Sequence, residues 1–300
     1  MGGQIARRLH SKNFPVFAWN RGEEHVKEIK QAGIPASQSI EDTVKRFTIK
    51  PRIFWIMLPH AVVDDFLFGS NKKDAISEGL APHLQKGDIV IDGGNSFYKE
   101  SVERSKKLAK LGVTFFDCGT SGGVWGERNG FALMVGGPKS AWKKIESIIQ
   151  ALSAGDNFAL LGEAGAGHFA KMVHNGIEYG MMEAIGEGYG VLEASKFKYN
   201  LRDVTRVYQK GSVVRSWLID LCRNIFETEN FNKVSGKIDA NGEGEWTVKT
   251  GKELKVDVRV IADALKVRKE SSLGKNQKKF SNKMVALMRK QFGGHEVHKK

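Results

Sequence analysis

The chain has 300 residues, 41% of them hydrophobic and 9% aromatic, enough for one large packed domain or two medium ones. Cys118 and Cys222 stand far apart with no CxxC pair, which excludes a disulfide framework and a zinc ribbon. The net charge of +13 would suit nucleic acid, a membrane surface or a phosphorylated small molecule and chooses none of them. No run approaches the roughly 18 apolar residues of a membrane helix, and no long apolar secretory stretch opens the chain, so a cytoplasmic protein with no membrane partner is expected. Aromatic and basic residues do not interleave as on an RNA-recognition surface, and no nucleic-acid partner is expected. The lysines are densest between Lys266 and Lys290, where Lys275, Lys278, Lys279 and Lys283 read as a solvated helix face.

A dinucleotide-binding fold usually opens with a strand, then GxGxxG, then a helix whose N-terminus receives the pyrophosphate. This chain begins Met1-Gly2-Gly3 and runs directly into the amphipathic stretch Gln4–His10. It enters partway through that motif, with Gly2 or Gly3 as the last glycine and the first strand missing, so weaker cofactor binding and lower stability are expected. The next strand, Phe14–Trp19, ends in Asn20-Arg21-Gly22. An acid at that strand end holds the ribose of NAD, whereas the 2′-phosphate of NADP is met by arginine. Asn20 stands where the acid would be and Arg21 follows, which favours NADP.

Further strands are predicted at Arg52–Met57, Asp88–Ile91, Thr114–Asp117 and Phe131–Val135, with helical periodicity over Glu23–Ala32, Val62–Phe68, Tyr98–Leu111 and Ala141–Leu152. That alternation is the pattern of a Rossmann-like, doubly wound parallel α/β sheet. The pairs Gly93–Gly94, Gly122–Gly123 and Gly136–Gly137 mark positive-φ turns or close approaches to a ligand. After Gly162 the character becomes helical, and Gly165 to Phe197 reads as one long helix. The expected domains are a dinucleotide-binding domain over 1–164, an all-α substrate and dimerisation domain over 165–280, and a C-terminal tail over 281–300.

On the long helix, Lys171, His174, Asn175 and Glu178 fall at i, i+3, i+4 and i+7, within an arc of about 100°. The stripe would suit a solvent face. On an arbitrary helix that would be the favoured reading, but the stripe also suits catalysis: a covered lysine can act as a base, and a glutamic acid with a raised pKa as an acid. Gly165, Gly167, Gly176 and Gly180 each cost roughly 1 kcal/mol in a helix interior, a cost explained where a ligand or a neighbouring helix comes close.

The ordered motifs Asp92-Gly-Gly-Asn-Ser96, Gly119-Thr-Ser-Gly-Gly-Val-Trp-Gly126, Lys171-Met-Val-His-Asn-Gly-Ile-Glu-Tyr179, Gly244-Glu-Trp-Thr247 and Gln291-Phe-Gly-Gly-His295 carry a resemblance. The chain resembles the decarboxylating 6-phosphogluconate dehydrogenases of the pentose phosphate pathway, in their short form. The resemblance implies that Lys171 takes the proton of the substrate 3-hydroxyl while hydride leaves C3 for the nicotinamide. Carbon dioxide is then lost, and Glu178 protonates C1 of the enediol to give ribulose 5-phosphate. It further implies that Asn95, Ser121, Gly122, Gly123, His174 and Asn175 hold the carboxylate and hydroxyls. Tyr179, Arg268, Arg289 and His295 look like the phosphate site, the last two being supplied in the family by the partner subunit's tail, so a homodimer or a dimer of dimers is expected. Two arginines have an independent rationale there, in charge-assisted bonds to phosphate.

The cofactor set is Gly2, Asn20, Arg21, Met57, Leu58 and Asn95, and no metal is expected. Two departures stand out. Asn241 occupies the position five residues before Trp246 where long-form relatives carry a lysine, and Gly22 stands where a hydroxyl residue would help grip the 2′-phosphate, which leaves NAD open. The competing readings are a 3-hydroxyacid dehydrogenase of the hydroxyisobutyrate type, which shares the fold, the Ser-Gly-Gly turn and the lysine, and a truncated, inactive relative. The residues His174, Glu178, Tyr179, Arg289 and His295 favour the phosphorylated sugar acid.

Overall fold

The computed structural model describes residues 1–70, 79–239 and 242–299, so Asn241 lies outside the described residues. The chain divides into two compact units, Met1–Lys171 and Met172–Lys300.

Seven strands are found among the described residues of the first unit: β1 (Ala18–Trp19), β2 (Ala36–Ser37), β3 (Ile53–Ile56), β4 (Ile89–Asp92), β5 (Thr114–Ser121), β6 (Phe131–Gly136) and β7 (Ser153–Gly162). Strands β3 to β7 form one sheet in sequence order. Ile53 pairs in parallel with Ile89, and Ile89 with Thr114. The sheet is parallel-dominated, as expected of a Rossmann-like fold, with β6 alone running antiparallel to β5 among the described residues, Asp117 opposite Gly136. The segment between them is short, and a parallel return needs a crossover of about a dozen residues or more.

Strands β1 and β2 pair with each other in a separate small sheet. The doubly wound order places a strand between such a pair and β3, and among the described residues none stands there. All four residues of β4 are buried, the mark of a strand covered on both faces. Ile89 and Ile91 join Ile5, Leu9, Phe116, Ile145 and Ile149 in one cluster, while Val90 joins Phe54, Val63, Leu67, Leu108 and Phe115 in another. Successive residues of a strand point to opposite faces, so one tetrapeptide anchors two layers of helix.

Strands β2 and β7 escaped the sequence reading, as did the helix Ile40–Lys45. Strand β7 opens Ser-Ala-Gly-Asp-Asn and is mostly exposed, so it lacks the alternation that marks a half-buried strand. The helix expected over Ala141–Leu152 resolves into a 3-10 turn, Lys139–Lys144, and a helix, Glu146–Leu152.

The long helix runs from Ala166 to Ala194. In the second unit it is followed by helices Leu201–Gln209, Trp217–Thr228, Glu243–Glu253, Arg259–Ser272 and Phe280–Gly293. Asn200 and Ser216 cap two of them, their side chains accepting from Arg202 N and Ile219 N. The core is built from Met182, Tyr189, Ile219, Cys222, Ile225, Met284, Val285, Leu287 and Met288.

Residues 281–300, read as a tail, begin as a helix in which every residue from Asn282 to Arg289 is buried. Lys283, read as part of a solvated face, is buried as well and its Nζ donates to Phe231 O at 2.7 Å. The interspersed apolar residues Met284, Val285 and Leu287 decide the matter: their burial outweighs the cost of covering one lysine that keeps a hydrogen bond.

Candidate active site

In the first unit the site begins with buried carboxylates that fix backbone. Asp92 ends β4, fully buried, and accepts from Gly94 N at 3.1 Å, Ser96 Oγ at 2.8 Å and Arg104 Nη1 at 3.1 Å. A buried carboxylate needs such partners, and these shape the turn that presents half-buried Asn95. Gly93 and Gly94 are required for close approach: a Cβ on Gly93 would lie 2.9 Å from Met57 Sδ, and one on Gly94 would lie 2.7 Å from Leu58 O. Thr120 Oγ1 donates to Gly93 O at 3.3 Å, which ties this turn to the end of β5, where Ser121 stands. Gly122 and Gly123 follow with φ of 138° and 53°, the left-handed backbone expected of that pair.

Asp117, one strand over, accepts from Gly165 N and His168 N, each at 2.6 Å. A carboxylate at a helix start satisfies otherwise unpaired N–H groups, and here it fixes the start of the long helix on β5. Lys171, 9% exposed, comes out one turn later. Its Cβ packs so closely on Gly119 that any side chain there would collide with it. Lys171, Ser121 and the Asn95 turn therefore share the ends of adjacent strands, where ligands bind in open α/β sheets. Asp92, Arg104 and Asp117 went unassigned in the sequence reading, since a buried structural carboxylate and a solvent one look alike in a sequence.

In the second unit, His174, Asn175 and Glu178 continue the stripe. His174 Nδ1 lies 3.2 Å from Asn175 Oδ1 and 3.9 Å from Glu178 Oε2, and Asn175 Nδ2 donates to Glu243 Oε2 at 2.9 Å. Asn175 is buried, while His174 and Glu178 are half-buried. This arrangement is a hydrogen-bonded group and not a free solvent face. Glu243, unforeseen in the sequence, orients it. Gly176 is where Thr247 of the Gly-x-Trp-Thr motif packs, and Thr247 Oγ1 donates to Met172 O at 2.7 Å. The helical glycines thus admit neighbouring elements.

Tyr179 and Arg268 are buried together, with the guanidinium carbon 3.2 Å from the ring centroid. Arg289 is buried too, and burial lowers the basicity of both arginines. Neither forms an ion pair with a carboxylate among the described residues. Burial, with Arg289 and Arg268 nearby, pushes the His295 imidazole down to about 4, so it is neutral at pH 7. Two desolvated cations, a phenol and an imidazole make a site for a multiply charged anion.

Glu183 lies on the same helix, buried, with its carboxyl pushed up to about 7 by burial and by Glu187, against the opposing pull of Arg268 and Lys279. Its folded value exceeds the ordinary 4.5, so the folded state keeps a proton that the unfolded state releases, and stability falls as pH rises from about 4.5 to 7. Glu183→Gln should remove this dependence. Above pH 7 the variant is expected to be more stable than wild type by on the order of 3 kcal/mol, read from urea unfolding at pH 5 and pH 8. An equal response of both proteins to pH would refute the assignment.

The residues expected to hold the cofactor lie in the first unit. Gly2 opens the helix Gly2–Ser11, and a Cβ on it would lie 3.3 Å from the Met57 Cβ, so the helix start, Met57 and Leu58 lie together beside the Gly93–Gly94 turn. Asn20 follows β1 and its Oδ1 accepts from Gly22 N at 2.7 Å, holding the turn that exposes Arg21. The Arg21 guanidinium has no carboxylate partner among the described residues. Close-packed glycines at a helix start and an exposed arginine after the next strand fit a nicotinamide dinucleotide.

Residues 1–164 match the NAD binding domain of 6-phosphogluconate dehydrogenase, and residues 167–299 match the 6-phosphogluconate dehydrogenase C-terminal domain. The Bacillus subtilis protein YqeC, provisionally named a 6-phosphogluconate dehydrogenase, is 38% identical over 100% of this chain and 97% of its own length. A Haloferax volcanii protein named 6-phosphogluconate dehydrogenase, NAD(+)-dependent, decarboxylating, is 35% identical over 100% of this chain and 96% of its own. The Plasmodium falciparum 6-phosphogluconate dehydrogenase, solved apo, with NADP+ and with 6-phosphogluconate, superimposes with a TM-score of 0.79 at 30% identity, over 91% of this chain and 60% of that one. The chain belongs to the 6-phosphogluconate dehydrogenase family.

Proposed function

We propose that the chain converts 6-phosphogluconate to ribulose 5-phosphate and carbon dioxide, with reduction of a nicotinamide dinucleotide. The observation that carries this reading is the pair of buried arginines around Tyr179, unmatched by carboxylates among the described residues, in a chain whose long helix bears a covered lysine and a glutamate seven residues on.

In this mechanism Lys171 accepts the proton of the substrate 3-hydroxyl. Bound at Gly2, Asn20, Arg21, Met57, Leu58 and Asn95, the dinucleotide supplies the acceptor for the hydride that leaves C3. The C1–C2 bond of the resulting 3-keto acid breaks, its electrons pass toward the 3-carbonyl, and protonated Lys171 returns its proton to that oxygen. Glu178 then protonates the carbon that lost the carboxylate while Lys171 takes back the hydroxyl proton, which leaves the ketone of ribulose 5-phosphate. Asn175 and His174, tied to Glu243 and Glu178, hold hydroxyls, with Asn95, Ser121, Gly122 and Gly123 on the carboxylate end. Tyr179, Arg268, Arg289 and His295 take the phosphate.

Purified protein supplied with 6-phosphogluconate and NADP or NAD should yield reduced cofactor and ribulose 5-phosphate. Oxidation of 3-hydroxyisobutyrate with no ribulose 5-phosphate formed would overturn the proposal. Arg21 favours NADP, and Arg21→Asp should raise the KM for NADP by about tenfold or more while sparing NAD; an unchanged preference would show that Arg21 does not read the phosphate. A homodimer or a dimer of dimers is supported by apolar side chains left exposed on the second unit, among them Ile177, Val191 and Val260. Among the described residues no helix is long and apolar enough to cross a membrane.

A further inference from the structure

The turn Ser121-Gly122-Gly123 leads into a 3-10 turn, Gly123–Trp125, and then a short helix, Gly126–Asn129. Packing fixes its inner end, where any side chain at Gly126 would collide with the buried Phe131 ring. Its outer side has no such anchor. Val124 and Trp125 are exposed, so little apolar burial holds them down.

Polar bonds from helix Gly2–Ser11 take that part. Arg7 grips Glu127 with both prongs of its guanidinium, Nε donating to Oε1 and Nη2 to Oε2, each at 2.9 Å. Gln4 Nε2 donates to Val124 O at 3.1 Å, and Arg8 Nη1 to Glu127 O at 3.0 Å. Two parallel N–H···O bonds between ions fix direction as well as distance, which a single contact cannot. Arg7 Nη1 also donates to Glu28 Oε1, on the helix Glu23–Gln31, at 3.1 Å. Of the two carboxylates, Glu127 does more to raise the Arg7 pKa above its ordinary value.

The helix itself is held by other means, because Ile5 and Leu9 bury its inner face in the core of the sheet. Its start, Gly2, lies against Met57 among the residues expected to hold the dinucleotide. All of these groups belong to the first unit.

We propose that Arg7 and Glu127 are a positioning pair, which holds the Ser121–Gly123 turn against helix Gly2–Ser11 in the geometry that receives the substrate carboxylate. One helix thereby serves both ligands, the dinucleotide at its start and the substrate turn along its side. Breaking the fork frees the turn and leaves the helix in place. This rests on the 6-phosphogluconate reading given above.

The test separates the two ligands. Glu127→Gln and Arg7→Met each break the fork at nearly constant side-chain length, and both residues are partly exposed, so the variants should fold. Calorimetric titration with 6-phosphogluconate, without dinucleotide, should show a Kd raised about three- to tenfold in either variant. Initial rates should show a matching rise in its KM. The double variant should bind no more weakly than the weaker single one, because either change alone breaks the fork. Titration with NADP+ or NAD+, whichever the wild type binds, should give the wild-type Kd in all three. Glu28→Gln removes the other partner of Arg7 and should bind both ligands as wild type does.

A merely structural role would lower the urea midpoint and leave both Kd values unchanged, and that result overturns the proposal. An equal loss for both ligands, or a loss in Glu28→Gln as large as in Glu127→Gln, also overturns it. Should Arg7→Met fail to fold, Glu127→Gln against Glu28→Gln carries the comparison. A failure of the substrate reading looks different: the wild type itself would neither bind 6-phosphogluconate nor reduce a dinucleotide with it, and the positioning role falls too.

Discussion

Replacing Lys171 with methionine is expected to lower kcat by about 10²- to 10⁴-fold, the usual contribution of a general acid or base, while 6-phosphogluconate still binds. Methionine keeps the length and packing of the chain and removes only the proton-carrying nitrogen. The side chain is 9% exposed and its root is wedged against Gly119, so a water molecule is poorly placed to stand in for it. Initial rates give kcat, and calorimetric titration with 6-phosphogluconate gives binding. A near-normal kcat would rule Lys171 out as the base and would return the helical stripe to an ordinary surface role. Loss of binding along with turnover would instead mean that Lys171 serves mainly to hold substrate.

Gly167→Ala tests why the long helix tolerates glycine at its start. A Cβ at this position would collide with Met134 O and lie 2.7 Å from both Asp117 O and Gly136 N, all of them backbone atoms. Backbone in the middle of a sheet cannot move aside as a side-chain tip can, so the substitution forces the helix away from β5 and β6. The expected loss is about 3 kcal/mol or more, at the upper end of overpacking costs, despite the better helix propensity of alanine. Urea unfolding would show a lowered midpoint. Gly188→Ala is the control: nothing lies within 4 Å of its Cβ position, and that variant should be as stable as wild type or slightly more so. Equal midpoints for the two variants would refute the close-packing explanation.

The ordered motifs were legible because their chemistry is local. Lys171, His174, Asn175 and Glu178 keep one face of a helix at whatever angle that helix is held, and the glycine pairs and the Asn20-Arg21 strand end are equally short-range. The strands β3 to β6 were visible for a related reason, since each is a compact apolar run between turn residues. Strand β7 was not, because an exposed edge imposes no alternation on its sequence. The antiparallel placement of β6 also had to come from the fold: the spacing between two strands limits the return path, but pairing in space decides it.

Residue types at helical and strand-end spacing specify the class of chemistry, and composition specifies an α/β part followed by an all-α part. Tertiary structure alone decided which polar groups are partnered. Asp92 and Asp117 shape backbone, Glu243 orients Asn175, and Arg268 and Arg289 are buried without a carboxylate partner among the described residues. It also brings His298 to Asp239, 59 residues apart in the chain. The physical reason is that charge, turn preference and periodicity are properties of neighbours along the chain, whereas desolvation and ion pairing depend on residues that meet only when the chain has folded.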